Sequence, residues 1–304
     1  MQYQNKLKGN LILLLTAFIW GMSFIAQSVG VEEISSFSFI GIRSTLGGIV
    51  LLPVIFCLDR SKKKKGIPVQ KADKTLILGG ILCGVLLCAA TVLQTEGMIY
   101  TSPGKSGFLT ALYMIIVPIL GLFMGKRPRP VILVSVLIAL SGLYLMCMDG
   151  SFSINEGDVL TIVCALIFSL HILVIDRVSP KVDGVKLACL QFFVCGIIAL
   201  IGMVMLGETP SLSQVGSLWA SLGYSGVLSC GVAYTLQIVG QKYTDPTSAS
   251  ILMSLESVFA TLTTVILVAC GWNLTGGQLS ARELWGCVFM FGAILLVQLP
   301  EKKR

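Results

Sequence analysis

The stretch LQTEGMIYTSPGKSGFLTALY, residues 93–113, decides the fold, because a related stretch, LQIVGQKYTDPTSASILMSLE, follows at residues 236–256. The Leu-Gln, Tyr-Thr and proline positions and two leucines recur at a constant offset of 143 residues. Each copy ends one apolar segment and opens the next. An internal repeat in a chain this hydrophobic predicts a duplicated helical bundle in a membrane.

The composition agrees with a membrane protein. Apolar residues make up 55% of the chain, charged residues only 12%, and the mean hydropathy is +0.89, whereas soluble domains are about 25% charged. The net charge of +7 could indicate a nucleic-acid partner, but the basic residues lie in short loops between apolar runs. This pattern is typical of membrane topology. We therefore expect a lipid bilayer and no nucleic acid as partner.

The cysteines and the histidine predict no metal site and no cofactor. The 10 cysteines form no CxxC pair, and His171 is the single histidine, so no Cys/His ligand set is available. We interpret the cysteines as small apolar packing residues.

Ten apolar stretches have the length of about 17–25 residues that a membrane-spanning helix needs. Spans 1 to 5 are Leu11–Val29, Phe37–Leu58, Thr75–Ile99, Gly104–Met124 and Val131–Met148. Spans 6 to 10 are Val159–Asp176, Val185–Leu206, Val215–Val239, Thr247–Cys270 and Glu283–Leu299. Because five spans per half is an odd number, the second half enters the membrane from the opposite side. The prediction is an all-α integral membrane protein of two inverted five-helix repeats, residues 1–148 and 149–304.

The charged residues predict the orientation. Most of the 22 lysines and arginines lie in loops on the same side of the membrane as the amino terminus, and the loops on the opposite side carry acids instead. The positive-inside rule then places both termini in the cytoplasm. Span 1 could pass for a signal peptide, but it lacks a convincing cleavage site and further spans follow, so we expect it to remain uncleaved.

Several short motifs resemble the EamA branch of the drug/metabolite transporter superfamily. They are Trp20-Gly21, Arg43, Thr101-Ser102-Pro103, Gly107–Thr110, Pro118, Ser141–Leu145, Leu255-Glu256 and Phe291–Leu295. Ser257 departs from the family pattern, which usually has proline there. Gly125-Lys126 and Gly271-Trp272 replace a usual Gly-Glu. The resemblance implies a ten-helix carrier of small metabolites in the bacterial cytoplasmic membrane. Its central cavity would be lined mainly by spans 1, 3, 4, 6, 8 and 9.

Glu256 is the strongest candidate for a functional residue. It lies ten residues beyond Pro246, hence roughly 15 Å into span 9, and an acid at mid-membrane is costly enough to indicate function. Tyr113 is its counterpart in the first copy, and Trp20 reaches a similar depth in span 1. Together they predict a substrate cavity for a small, partly polar or cationic solute. The alternative is that Glu256 is a hydrogen-bonded packing residue.

Other polar residues are further candidates. Arg43 and Glu96 are expected to form a structural ion pair between spans 2 and 3, and the alternative is a substrate contact. Gln94 and Gln237 are expected to form interhelical hydrogen bonds. Lys105 either snorkels to water or guides an anionic group into the cavity. His171 is either a satisfied bundle residue or a proton relay with Glu256.

These features predict a secondary transporter that works by alternating access, coupled to protons through Glu256 and exporting amino-acid-like or amphiphilic compounds. The alternatives are a channel and a membrane protein with a structural or receptor role. No phosphate loop, H-E-x-x-H or G-x-S-x-G motif is present, so we expect neither ATP use nor an enzyme. The expected oligomeric state is a monomer or a weak homodimer.

Overall fold

The computed structural model describes residues 2–101, 103–125, 130–147, 154–271 and 280–298, and within these ranges all regular structure is helical. The first half contains α1 (Gln2–Val31), α2 (Ser36–Lys64), α3 (Lys74–Tyr100), α4 (Pro103–Thr110), α5 (Tyr113–Phe123) and α6 (Pro130–Cys147). The second half contains α7 (Glu156–Val178), a 3-10 turn (Ser179–Lys181), α8 (Gly184–Met205), α9 (Leu212–Ser217), α10 (Trp219–Gly223), a π-helix (Tyr224–Tyr234), α11 (Thr235–Gln241), α12 (Pro246–Met253), α13 (Glu256–Ala269) and α14 (Ala281–Gln298).

Eight helical stretches in the described ranges are long and apolar enough to cross a membrane, and they coincide with predicted spans 1–4 and 6–9. Helices α6 and α14 overlap spans 5 and 10 and pack against each other. The predicted boundary at 148–149 and the basic residues at 126–129 and 302–304 lie outside the described residues. The chain is therefore an all-helical, multi-pass membrane protein.

Side-chain caps set where several helices begin. Asp73 accepts a hydrogen bond from the Leu76 amide at the start of α3. Asn155 and Asp158 form a reciprocal capping box at the start of α7. Asp245 caps α12, whose first residue is Pro246. These caps satisfy amides that a helix leaves unpaired at its first turn.

Helices from the two halves interleave. Helix α3 packs against α7 and α8, whereas α2 packs against α8 and the π-helix. Helix α1 packs against α11, α13 and the π-helix. The bundle centre is thus built from helices that are distant in sequence, and α8 stands between the consecutive helices α2 and α3.

Three predicted spans are not single regular helices, which corrects the sequence expectation. Span 8 contains the π-helix Tyr224–Tyr234. Spans 4 and 9 each consist of two helical segments, and their hydrogen bonding tightens locally to Leu112 N→Leu109 O (3.2 Å) and Leu255 N→Leu252 O (3.4 Å). The second segments begin at Tyr113 and Glu256. Local irregularities of this kind in a membrane helix frequently accompany functional sites.

Candidate functional site

A narrow cavity of about 40 Å³ lies in the middle of the bundle. It is lined by Trp20, Phe24, Gln27, Arg43, Gln94, Thr110, Tyr113, Phe168, Ile172, Ser229, Tyr234, Gln237, Met253 and Glu256. A volume of this size holds only a few water molecules. A metabolite would enter only if the surrounding helices moved apart.

Tyr113 and Glu256 meet at this cavity. The Tyr113 hydroxyl donates a hydrogen bond of 3.0 Å to Glu256 Oε1, and the two side chains are 4% and 5% exposed. In the part of the chain that the structure describes, this hydroxyl is the one hydrogen-bond partner of the Glu256 carboxyl group. The structure therefore brings together the acid and phenol that the sequence places 143 residues apart.

Aromatic rings form one wall of the cavity. The Trp20 and Tyr234 ring centroids are 4.6 Å apart, and the Phe192 ring meets the Tyr234 ring edge-on at 5.6 Å. The indole Nε1 of Trp20 is buried and has no hydrogen-bond partner in the described part of the chain. Trp20 lies at the cavity, as expected, and this wall offers both an apolar surface and an unused donor.

Arg43 does not form the expected ion pair with Glu96. Within the described ranges no salt bridge joins them; the described pairs are Lys62–Asp183, Lys105–Asp158 and Lys186–Asp59. Arg43 lines the cavity instead, is 2% exposed, and holds its guanidinium carbon 5.6 Å from the centre of the Phe39 ring. The prediction was wrong because it assumed that consecutive helices pack chiefly on each other, whereas α2 packs mainly against α8, α3 packs mainly against α7 and α8, and α2 and α3 pack only slightly against each other.

The three glutamines at the cavity differ in their partners. Gln94 donates a hydrogen bond of 3.1 Å to Thr110 Oγ1 and so links α3 to α4. The side-chain oxygens of Gln237 and Gln27 are buried without a partner, so the hydrogen bond expected of Gln237 is not found among the described residues. The sequence analysis missed Gln27. Its position seven residues after Trp20, two turns along the same helix face, is the signal that could have revealed it.

His171 lies away from the cavity, beside α8. Its Nε2 is 3.1 Å from Gln191 Oε1, and its ring centroid is 6.4 Å from that of Tyr234. No hydrogen bond between His171 and Glu256 occurs in the described part of the structure, so a direct relay between them is not formed. The neighbouring residue Ile172 faces the cavity, and the histidine consequently points elsewhere on α7.

Lys105 lies at one end of the bundle and not at the cavity. Its Nζ is 2.5 Å from Asp158 Oδ2, and Thr101 Oγ1 donates to Asp158 Oδ1 at 3.0 Å. The Asp158 side chain is 2% exposed and that of Lys105 is 18% exposed. Lys105 therefore compensates a buried carboxylate that also caps α7, which is a structural role.

The fold and site define a multi-pass helical membrane protein with a central polar cavity. The chain belongs to the EamA-like transporter family, whose sequence model matches it twice, at residues 7–148 and 155–299. The expected family resemblance is thereby confirmed.

Similar proteins carry transporter names and span nearly the whole chain. An "uncharacterized transporter" of Archaeoglobus fulgidus is 27% identical over 296 residues, which cover 97% of this chain and 87% of the relative. The transporter YoaV of Bacillus subtilis is 20% identical, with 96% and 97% covered. One solved crystal structure matches with a TM-score of 0.73 at 19% identity, over 95% of this chain and 96% of the other. This structural match supports the fold.

Proposed function

We propose that the protein is a secondary transporter that moves a small metabolite by alternating access around the central cavity. The ten predicted spans then form two inverted repeats, and the cavity lies where the repeats meet. The family and the transporter names of its relatives support the class of function. The observation that carries the mechanism is the Tyr113–Glu256 hydrogen bond.

Two residues related by a two-fold axis are equally far from that axis, so counterparts that touch each other must lie beside it. Tyr113 and Glu256 are such counterparts at the offset of 143 residues. A site on the axis stays in place while the two repeats rock around it, which is the arrangement that alternating access requires.

The ends of the bundle supply two candidate gates. At one end Thr101 binds Asp158, and at the other Thr244 Oγ1 donates to Asn10 Oδ1 at 3.0 Å. The cavity is narrow while both contacts are made. We propose that each contact breaks in turn, which admits solute from one side only.

Glu256 is the proposed coupling residue. A carboxylate that binds either a proton or the cationic part of a solute, but never both, exchanges one for the other. With an inward proton gradient this exchange drives export. The end carrying Lys62, Lys181 and Lys242 is the proposed cytoplasmic side of a bacterial inner membrane. Both termini then lie in the cytoplasm.

The test is solute-dependent proton movement in liposomes that contain the purified protein and an internal pH dye. A panel of amino acids and amines is added to wild type, Glu256→Gln and the matched control Glu96→Gln. The control removes a half-buried acid that does not line the cavity. We expect a solute-dependent pH change with wild type and the control, and at least a tenfold smaller one with Glu256→Gln.

Counterflow of the active compound, measured with a radiolabel in wild type and in the control, tests transport without a pH gradient. Glu256→Gln has no negative charge for the cationic part of the solute, so we expect it to lose most of this exchange together with the response to a pH gradient. Equal responses of wild type and Glu256→Gln would contradict proton coupling through this residue. Absence of counterflow with every compound would contradict the transporter itself.

A further inference from the structure

Arg43 is a buried cation for which the described residues provide no anion. Its side chain is 2% exposed, its Nε is buried without a partner, and none of the described ion pairs or hydrogen bonds involves it. The Phe39 ring is its one ring contact there. A charge held in this way inside a membrane protein is costly and calls for a partner.

The same cavity holds further unused polar atoms. The side-chain oxygens of Gln27 and Gln237 and the Nε1 of Trp20 are buried and have no hydrogen-bond partner among the described residues. Glu256 supplies an acid whose one described partner is Tyr113. Unsatisfied buried groups on several helices that converge on one space indicate the complement of a missing ligand, because each costs free energy while it remains unpaired.

We infer that the cavity binds a small zwitterion, whose anionic group contacts Arg43 and whose cationic group contacts Glu256. The inference rests on the proposed function only in taking this cavity as the transport site. It assigns to Arg43 a substrate-binding role in place of the expected structural pair with Glu96.

Arginine suits this role for geometric reasons. Its planar fork of N–H donors binds both oxygens of a carboxylate at once, and a lysine ammonium does not reproduce that geometry. The buried Nε belongs to the edge of the guanidinium that a carboxylate approaches side-on. Glu256, which lines the same cavity, attracts the ammonium group. Because the cavity is only about 40 Å³, the zwitterion is bound when the surrounding helices move apart.

The aromatic wall then contacts the remainder of the solute. Trp20, Tyr234, Phe24 and Phe168 line the cavity beside these charges. The ring faces favour an apolar substituent or a cationic group. Arg43 and Glu256 therefore recognise the two charged groups of the solute, and the rings contact its remaining substituent.

The test is ligand binding by the full chain in detergent, measured as a shift in thermal unfolding and by calorimetry. Each amino acid of a size series is compared with its amide, which lacks the anion, and with its N-acetyl derivative, which lacks the cation. We expect at least one amino acid to bind wild type at least tenfold more tightly than both of its derivatives. A ligand that binds only the folded state raises the unfolding temperature.

The variants Arg43→Gln and Arg43→Lys test the residue itself. We expect Arg43→Gln to bind the acid no better than the amide, and Arg43→Lys to lose at least tenfold in affinity for the acid. Arg282→Gln is the matched control, because Arg282 lies on α14 over the Tyr144 ring and does not line the cavity. Its affinity for the acid is expected to equal that of wild type.

Two results would overturn the inference: no binding of any zwitterion, or equal binding of acid and amide by wild type. The comparison within wild type remains decisive even if the Arg43 variants do not fold. Counterflow of the bound compound separates the two proposals. Arg43-dependent binding without exchange contradicts the transporter and keeps the inference. Equal exchange of acid and amide contradicts the inference and keeps the transporter.

Discussion

The two threonine junctions at opposite ends of the bundle have the same geometry and different chemistry. Thr101 donates to Asp158 Oδ1 at 3.0 Å, and Thr244, 143 residues later, donates to Asn10 Oδ1 at 3.0 Å. In the first junction, Lys105 adds an ion pair. The first junction is charged and the second is built around a neutral amide.

A pair of glycines brings the helices together at each junction. A Cβ atom on Gly157 would lie 2.5 Å from the Gly97 carbonyl oxygen, and one on Gly97 would lie 2.9 Å from the Gly157 carbonyl oxygen. At the other junction, a Cβ atom on Gly9 would lie 3.0 Å from the Gly240 carbonyl oxygen, and one on Gly240 would lie 3.3 Å from the Gly9 carbonyl oxygen. Close backbone approach is thus common to both junctions and is tighter in the charged one.

Similar packing at the two ends of the bundle therefore does not imply that the two junctions are equally stable. A buried carboxylate needs its cation and its hydrogen bonds together, whereas an amide needs only hydrogen bonds. We therefore expect the charged junction to resist opening more than the neutral one, which would bias the transporter toward opening at the Thr244 end.

The largest difference is expected when the central acceptor of each junction is removed. Asp158→Ala leaves Lys105 without its carboxylate and removes half of the α7 capping box, so we expect a loss of about 3 kcal/mol in the free energy of unfolding. Asn10→Ala removes one neutral hydrogen bond and is expected to cost about 1 kcal/mol. Denaturant unfolding in detergent measures both. Equal losses would break the comparison.

The glycines are expected to show the next largest difference. Gly97→Ala places a methyl group against the Gly157 carbonyl and the Thr161 hydroxyl, at a cost of about 2 kcal/mol. Gly240→Ala meets chiefly the Leu13 side chain at 2.8 Å, which can shift, so about 1 kcal/mol is expected. Thermal unfolding of the two variants measures the difference.

Gly216→Ala is the control for these variants. It lies in α9 with no atom within 4 Å of an added Cβ. It should leave stability unchanged or raise it slightly, because alanine lowers the entropy of the unfolded chain. A loss at Gly97 no greater than the change at Gly216 would show that the close approach is not required.

A double-mutant cycle isolates the charge itself. Asp158→Asn makes the first junction resemble the second, and Lys105→Ser copies Ser248, the residue at the corresponding position of the other repeat. We expect a coupling energy of about 1.5 kcal/mol between the two substitutions. It should fall only modestly with added salt, since the pair is largely buried. A coupling near zero would mean that Lys105 and Asp158 act independently.

The smallest effect on stability is expected from the ion pair between Lys62, in the last turn of α2, and Asp183, just before α8. This pair lies at the same end of the bundle as the neutral junction. The distance from Lys62 Nζ to Asp183 Oδ2 is 2.5 Å. Partial burial acts to raise the pKa of Asp183, but hydrogen bonds from Lys62 and from the Lys186 and Val185 amides lower it overall. Stability from this carboxylate is therefore present above the pKa of the unfolded chain, about 3.9, and is lost as the pH falls through the lower folded value.

Asp183→Asn is expected to lower the free energy of unfolding by about 0.5 kcal/mol near neutral pH, because Lys62 is partly exposed and solvent weakens the ion pair. Unfolding of wild type and variant is followed by tryptophan fluorescence from pH 7 to pH 3. The two curves are expected to converge below about pH 4. A constant difference across this range would show that the ionised form of Asp183 makes no special contribution.

Prediction from the sequence succeeded where the pattern is local or repeated. Eight of the ten predicted spans follow from hydropathy over short stretches and coincide with helices of membrane length in the described part of the chain. The meeting of Tyr113 with Glu256 was predicted because a repeated motif carries information about distant positions.

Prediction from the sequence failed where the outcome depends on which helices become neighbours. Arg43 and Glu96 were paired on the assumption that adjacent spans pack chiefly together, whereas α2 packs mainly against α8, and α3 against α7 and α8. Lys105 had two possible roles until Asp158 was found beside it. The π-helix in span 8 had no recognisable signal, because its apolar and small residues are equally compatible with an α-helix.

The sequence alone determined that the chain crosses the membrane many times, where most of its helices begin, and that it contains two related halves. Hydropathy and capping depend on residues close together in the chain, and a repeat depends on matching motifs. These features can therefore be recognised from the sequence. Only the tertiary structure decided that Arg43 faces the cavity with no ion-pair partner among the described residues, that Gln27 lies at the same cavity, and that one junction is charged and the other neutral. These facts depend on which side chains meet across α1, α2, α7 and α8, and the order of residues along the chain does not specify those contacts.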